Sequence, residues 1–210
     1  MHKTLLSLTA LSFAVLISPA FGAPIPYGNV GYVAPLPPTL VATGNTVDIY
    51  FDGVSAADTD FIEIEDVTNH THSGQIFDNQ TTSVGTPYAF STNAGDVIEF
   101  LLFNKTTGNM FSSDPAGNSD GYNHTYMTAF SGSSSPHIPA GEYVGFEDEY
   151  IGTTNGSKCG GSANQSDCDY NDEQIVVTGV TATPEPNSLA LLGTSFLGVA
   201  GLVRRRFATR

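Results

Sequence analysis

Oxygen-bearing side chains are concentrated in one short stretch near the end of the chain, "SDCDYND" at residues 166–172. Asp167, Asp169 and Asn171 alternate there, and Asp172 follows directly. Side-chain oxygens two residues apart on a turning loop can converge on one hard cation, because Ca²⁺ accepts about six to eight oxygen ligands at about 2.3–2.6 Å. The spacing therefore predicts a calcium site.

Two further acidic residues, Glu147 and Asp148, follow an apolar segment and are candidates to complete the ligand shell. The spacing is like the first half of an EF-hand, but Asp172 stands where that loop needs glycine, and Thr178 where it needs glutamate. A calcium loop here would therefore belong to a β scaffold. The alternative is an acidic surface loop whose Asp and Asn side chains form Asx-turns. Repulsion between neighbouring carboxylates favours the cation.

The only two cysteines of the chain are Cys159, which precedes this stretch, and Cys168, which lies within it. Residues 159–172, which begin at the first cysteine and contain the second, are called the cysteine-bracketed segment below. In an exported protein we expect the two cysteines to form a disulfide, which would close a short loop and hold Asp167 and Asp169 in place. A zinc site is the alternative. Zinc needs further ligands such as histidine, however, and no histidine occurs between residues 138 and 210.

Short runs of alternating apolar and polar residues predict the elements that position these side chains. In "TVDIYFDG", Val47, Ile49 and Phe51 share one face, as in a half-buried strand. "DFIEIEDV" repeats the pattern, and "DVIEFLLFN" is apolar on both faces, which indicates a central strand. Further strands are expected at residues 75–77, 87–91, 126–130, 142–146 and 174–180. Frequent turn residues between these runs predict an all-β fold, an antiparallel β-sandwich of jelly-roll-like form.

The N-terminal part of the chain predicts export. Residues 1–22 combine one lysine, an apolar run over 5–17 and small residues before an expected cleavage site after Gly22, which is typical of a secretory signal helix. An N-terminal core helix is the alternative, but the run has no polar face. Residues 23–38 hold five prolines and predict an extended lead-in outside the sheets. The β-sandwich domain is then expected over residues 39–183.

The expected mature body is strongly acidic. Of the 21 acidic residues only Glu185 lies outside residues 23–183, and of the seven basic residues only Lys105 and Lys158 lie inside, so the body carries a net charge of −18. Such a surface repels phosphate backbones and attracts cations. We therefore expect no nucleic-acid partner.

The tail, residues 184–210, has three parts. A Pro-Glu-Pro motif is followed by an apolar run over 189–203 and by an arginine cluster. The run predicts a short transmembrane helix, below the roughly 20 residues that span a bilayer comfortably, with the arginines on the cytoplasmic side. A buried core helix is the alternative, but the glycines in the run and the adjacent arginines disfavour it. The motif and cluster residues are Pro184, Glu185, Pro186, Arg204, Arg205 and Arg206.

This order of elements resembles the PEP-CTERM sorting signal of Gram-negative bacteria. The resemblance implies that an exosortase, a membrane-embedded protease-like enzyme, recognises the Pro-Glu-Pro motif and processes the tail. It also implies that the protein is tethered to the inner membrane before processing. The body would then pass to the cell surface or to the extracellular polysaccharide matrix.

A looser resemblance covers about 70 residues of the body. The segments "FSSDPAGNSDGYNH", "VGFEDEY" and "SDCDYNDEQIVV" are similar to an exported bacterial domain family of unknown function, in which N-x-D-G-x-x-H, GFED and D-x-D-x-N-D recur in that order. That resemblance implies calcium binding and supplies no catalytic activity. The residues at the motif positions are Asn118, Asp120, Gly121, His124, Glu147, Asp148, Asp167, Asp169, Asn171 and Asp172.

These features together predict a non-enzymatic protein of the cell surface or extracellular matrix, stabilised by Ca²⁺. Its expected partners are the secretion machinery, an exosortase, the inner membrane before processing, and extracellular polysaccharide. A carbohydrate-binding module is the first alternative. A secreted glycan hydrolase is the second, and it would need two carboxylates about 5–9.5 Å apart, such as Glu147 and Glu149. The chain has no Trp to form a sugar-binding platform.

Overall fold

The structure, a computed structural model, describes residues 25–152, 159–160 and 165–183. Within them the regular elements are β-strands and one 3₁₀ turn at Pro115–Gly117, and every strand pairing is antiparallel. The all-β, antiparallel prediction is confirmed. In chain order the strands are β1 (Thr39–Ala42), β2 (Thr46–Gly53), β3 (Asp60–Asp66), β4 (Thr71–His72), β5 (Ile76–Asp78), β6 (Pro87–Ser91), β7 (Val97–Asn104), β8 (Met110–Ser112), β9 (Thr125–Phe130), β10 (Ser133–Ser134), β11 (His137–Ile138), β12 (Gly141–Phe146), β13 (Glu173–Thr178) and β14 (Val180–Thr183).

These strands form two main sheets. The first has the order β14-β1-β7-β3-β4, with β5 pairing to β3 and β8 pairing to β7. The second has the order β6-β2-β13-β12-β9, while β10 and β11 form a separate ribbon. β7 lies between β1 and β3, so the strand predicted to be central is central.

One apolar core lies between the two sheets, because strands of both contribute alternate residues to it. β2 supplies Val47, Ile49 and Phe51, as the alternation predicts, and β7 supplies Phe100 and Leu102 from the facing sheet. Burying a side chain of this size stabilises the folded state by about 1.5–3 kcal/mol. The sandwich is therefore held together mainly by these alternating rows.

The strand expected at residues 174–180 is in fact two strands in different sheets. β13 ends at Thr178 in the second sheet, and β14 begins at Val180 in the first. Gly179 between them has φ +74°, and a Cβ there would approach the backbone oxygen of Thr46 to 2.5 Å. Only glycine accommodates both the conformation and the close approach, so the chain changes sheets at this residue.

The proline-rich lead-in covers part of the domain. Its described residues form no strand, as expected, but Tyr27 and Ala34 are buried in a small cluster with Cys168 and Tyr170. The rings of Tyr27 and Tyr170 meet edge to face, 4.9 Å apart. The lead-in is therefore a strap across the cysteine-bracketed segment.

Both ends of the chain lie outside the described residues. The expected signal helix (1–22) and transmembrane helix (189–203) fall there and stay predictions. In the part of the chain that the structure describes, no helix has the length and apolarity needed to cross a membrane.

Candidate functional site

The site is organised around Glu147, which follows the last residue of β12 and is completely buried. Three donors from the cysteine-bracketed segment converge on its carboxylate. The Ser166 hydroxyl and the Cys168 amide, at 3.2 Å, donate to Oε2, and the Tyr170 amide donates to Oε1. Because the donors come from residues 166, 168 and 170, the backbone of this segment curls around one carboxylate.

Local conformation explains how the segment curls. Cys168 has φ +54° and Tyr170 has φ +56°, so two residues that ordinarily avoid the left-handed region both adopt it. Cys168 is also linked to Cys159 by a disulfide, with the two Cα atoms 5.7 Å apart. The predicted disulfide is thus present in the structure. The cross-link and the Glu147 hydrogen bonds together hold the turn.

Three carboxylates meet at this turn and are referred to below as the loop site: Glu147, Asp167 and Asp169. One oxygen of each lies within 4.8 Å of the others, and this trio is the one such group of His, Cys, Asp and Glu side chains in the described part of the chain. Oxygens on opposite sides of a Ca²⁺ ion are about 5 Å apart, since each lies about 2.3–2.6 Å from the ion. A single cation can therefore contact all three.

The electrostatics of the loop site favour a cation. Burial, together with the charges of Asp169 and Asp167, raises the pKa of Glu147 to about 8, against hydrogen bonds from Ser166 and Tyr170 that lower it. Burial and the Asp167 charge also raise the pKa of Asp169. A positive ion among the three would remove this repulsion and keep all three carboxylates ionised.

The other predicted ligands are placed differently. Asn171 donates through its amide Nδ2 to Asp169, so it orients a loop-site carboxylate. Asp172 accepts a hydrogen bond from the Asp148 backbone amide at 3.1 Å. Burial, together with the charges of Glu147 and Asp148, raises the pKa of Asp172 to about 10. Asp148 and Asp172 thus lie next to the loop site but outside its trio.

Asp148 and Asp172 belong instead to a second cluster, called here the interior acid group. It lies where the core-facing rows end. Asp60 and Glu173, which sequence reasoning missed, are its most buried members. The group consists of Asp58, Asp60, Asp148, Asp172 and Glu173.

The N-x-D-G-x-x-H segment contacts the backbone of Glu147 and so supports the loop site. Asn118 accepts from the Ser112 amide at 2.6 Å and donates to the Tyr122 carbonyl at 2.8 Å, which fixes the turn. His124 contacts the Asp120 carboxylate through Nε2 at 2.9 Å, and its Nδ1 lies 3.3 Å from the Glu147 carbonyl. The segment therefore positions the backbone of Glu147.

Tyr170 connects the loop to the lead-in strap, a role that no spacing in the sequence indicated. Its hydroxyl donates to the Asn123 carbonyl at 3.0 Å and accepts from the Ala34 amide at 2.8 Å. Ser166 was missed as well, because a serine donor to a buried carboxylate has no local signature. The αL conformation at Cys168 and Tyr170 likewise follows from the tertiary contacts.

Comparison with known proteins identifies the tail. Residues 182–206 match the family model described as the PEP-CTERM protein-sorting motif, which confirms the prediction made from Pro184, Glu185 and Pro186. A chain with this motif is exported and is processed at the membrane by an exosortase. No curated protein and no solved structure matches the chain. The resemblance of the body to an exported domain family stays a prediction.

Proposed function

We propose that this chain is a non-enzymatic protein of the bacterial cell surface or extracellular matrix, delivered by its PEP-CTERM tail and ordered by calcium at the loop site. The sorting motif over residues 182–206 is the observation that carries the proposal. Exosortase processing separates a body from its tail, so the body acts outside the inner membrane. Extracellular polysaccharide is the partner we propose for it.

Calcium would act by fastening the cysteine-bracketed segment to the sandwich. Glu147 directly follows β12, whereas Asp167 and Asp169 belong to the segment, so one ion contacting all three joins the two parts. Extracellular calcium modules bind with dissociation constants on the order of 10⁻⁴–10⁻³ M. Such affinity suits a protein that folds where calcium is abundant.

Sorting is tested with the full chain carrying a C-terminal epitope, expressed in a bacterium with and without its exosortase. We expect the host with the enzyme to remove the epitope and release the body to the surface. The double variant Pro184→Ala/Glu185→Ala should keep both epitope and membrane association. Asn187→Ala, next to the motif, is the control and should behave as the natural chain does. Epitope removal that is independent of the exosortase would refute the proposed route.

Calcium binding is tested by thermal unfolding of the purified protein in EDTA and in about 2 mM Ca²⁺. At the affinity above, the ion should stabilise the fold by roughly 0.6–1.8 kcal/mol, which raises Tm by a few degrees. Asp167→Asn/Asp169→Asn should abolish the part of that rise that the loop site contributes. Glu63→Gln is the control. It removes one negative charge from the half-buried face of β3, opposite the core-facing row, and should preserve the rise in Tm. An unchanged rise in the double variant would exclude the loop site.

A further inference from the structure

Two acidic residues end the core-facing rows of the sandwich at the same edge. Asp60 begins β3 and continues the row of Ile62 and Ile64, and it lies opposite Asn104 of β7. Glu173 begins β13, on the same face as Ile175, and lies opposite Phe146 of β12. The two come from different sheets. Both are completely buried, with no exposed surface.

These two side chains have carboxylate oxygens without hydrogen-bond partners. Both Oε1 and Oε2 of Glu173 are unpartnered, and so is Oδ1 of Asp60. An isolated carboxylate moved from water to a protein interior is strongly destabilising unless a counter-charge or a proton compensates it. The described part of the chain holds one Lys or Arg, Lys105, and its Nζ lies 5.6 Å from the centre of the Phe61 ring instead. No basic side chain there neutralises the pair.

The surrounding groups hold the acids in place without neutralising them. Asn79 Oδ1 accepts a hydrogen bond from the Asp60 backbone amide at 3.0 Å, and Asn79 Nδ2 donates to Asp60 Oδ2 at 2.8 Å. Asn104 donates to Asp58 Oδ2 at 2.9 Å and to the Asp148 carbonyl at 3.1 Å. Asn79 therefore orients the Asp60 carboxylate and Asn104 that of Asp58, but neither amide contacts Asp60 Oδ1 or Glu173.

The interior acid group also has an opening to solvent. A cavity of about 380 Å³ is lined in part by Asp58, Asp148, Glu149 and Asp172. Asp148 lines this cavity, and its charge also acts on Asp60. A small ion entering the cavity would therefore reach Asp148 first and the buried acids next.

We infer that a divalent cation of the calcium class binds between Asp60, Asp148 and Glu173, at the interior end of the sandwich. All the ligands on offer are oxygens, which hard cations prefer, and Ca²⁺ tolerates irregular shells that mix carboxylates with water. The ion supplies the positive charge that the unpartnered oxygens lack. Since the three carboxylates are not within 4.8 Å of one another as the loop trio is, binding draws them together.

This interior site is independent of the loop site, and the inference does not rest on the proposed function. Asp172 lies between the two, since the charges of both Glu147 and Asp148 act on it. The two sites nevertheless share no member of their carboxylate trios. Substitutions in one trio therefore test that site without removing a ligand of the other.

The test is the number of Ca²⁺ ions bound per chain, measured by equilibrium dialysis of the full-length protein. We expect two ions for the natural sequence and one for Glu173→Gln or Asp60→Asn. Asp167→Asn/Asp169→Asn should leave one ion, and the combined variant none. Asp66→Asn, a buried acid at the other end of β3, should still bind two. Near-ultraviolet circular dichroism checks that each variant is folded.

An unchanged ion count in both Glu173→Gln and Asp60→Asn would overturn the inference, as would a single ion that the loop variant abolishes. If the loop variant keeps the full count, the proposed loop site fails and the interior site stands. Should the interior variants not fold, a crystal of the natural protein soaked in terbium decides. An anomalous peak between Asp60 and Glu173 supports the site. A peak at the loop alone, or none, overturns it.

Discussion

β3 carries a buried aspartate at each end, and the two are treated very differently by their surroundings. Asp66 accepts hydrogen bonds from the Asn69 amide at 3.0 Å and from Asn69 Nδ2 at 2.8 Å. The same Nδ2 donates to Asp96 at 2.8 Å, and Asn93 donates to Asp96 twice. At the other end, Asp60 has an oxygen with no partner, and nearby Glu173 has two.

The two ends of β3 therefore differ in hydrogen bonding. Asp66 has amide donors for its carboxylate, whereas Asp60 and Glu173 have oxygens without partners. Burial acts to raise the pKa of Asp96, but hydrogen bonds from Asn93 outweigh it and hold the pKa below its usual range. Burial and the neighbouring Asp148 raise the pKa of Asp60 to about 8. Amide donors thus stabilise the ionised carboxylate of Asp96, next to Asp66, while the Asp60 end favours a proton or a cation.

The largest effect expected is a dependence of stability on pH in EDTA. The folded protein keeps a proton on Asp60 up to about pH 8, whereas the unfolded chain loses it near pH 4, so stability falls as pH rises between these values. Each retained proton contributes a slope of about 1.4 kcal/mol per pH unit. The acids that act on Asp60 are Asp58, Asp148, Glu149 and Glu173.

Urea unfolding from pH 5 to 8 measures this slope. Asp60→Asn should reduce it and Asp66→Asn should not, while other buried acids such as Glu147 add to the slope in all three proteins. Saturating calcium should flatten it, because the ion replaces the protons. Equal slopes in Asp60→Asn and the natural protein would show that the two ends of β3 are alike.

The next largest effect is expected from removing the disulfide, which should weaken calcium binding at the loop site and leave the interior site unaffected. Replacing Cys159 and Cys168 by serine removes a cross-link between residues nine apart, which should lower stability by roughly 2–3 kcal/mol in the chain-entropy model. The calcium-induced rise in Tm that depends on Asp169 should shrink as well. Differential scanning calorimetry in EDTA and in calcium measures both. The part of the calcium-induced rise in Tm that depends on Glu173 should be unaffected. If that part were lost as well, the two sites would form one unit.

Whether an Asp→Asn substitution raises or lowers the free energy of unfolding is a sharper test, although the expected change is smaller. Asp66→Asn removes one acceptor from a satisfied network and should destabilise the protein by about 1–3 kcal/mol, with or without calcium. Asp60→Asn should stabilise it in EDTA, because a neutral amide replaces an uncompensated carboxylate. Chemical denaturation at pH 8 compares the two. A loss of stability from Asp60→Asn in EDTA would contradict the distinction.

The smallest effect is expected where the acid is not fully buried. Glu63 lies between the two ends of β3 but on its opposite, half-buried face. Glu63→Gln should change stability by less than about 0.5 kcal/mol at any pH or calcium concentration. A larger change would indicate that the net charge of the body, and not the position of each acid, controls its stability.

Local patterns in the sequence were sufficient for several features. Alternation identified β2 and β3, a run apolar on both faces identified β7, and the spacing of "SDCDYND" indicated Asp167 and Asp169 as neighbours. The two cysteines are close in the chain and form the predicted disulfide. The tail motif was readable for the same reason, since all its parts are contiguous.

The same alternation failed where a single glycine redirects the chain. Residues 174–180 look like one strand, because Gly179 interrupts neither the apolar pattern nor the length of the run. Its positive φ and its contact with Thr46 appear only when β1 and β2 are in place. The role of Glu147 was equally unreadable from local sequence, because its donors Ser166 and Tyr170 lie 19 and 23 residues further along the chain.

The sequence by itself determined what short-range spacing encodes: the strands, the acidic loop, the disulfide pair and the sorting tail. Tertiary structure alone decided which acids meet. Asp60 and Glu173 are far apart in the chain, and antiparallel register places each at the end of a core-facing row. The packing of the two sheets then brings those ends together. Convergence of this kind depends on strand order and register, which no local period specifies.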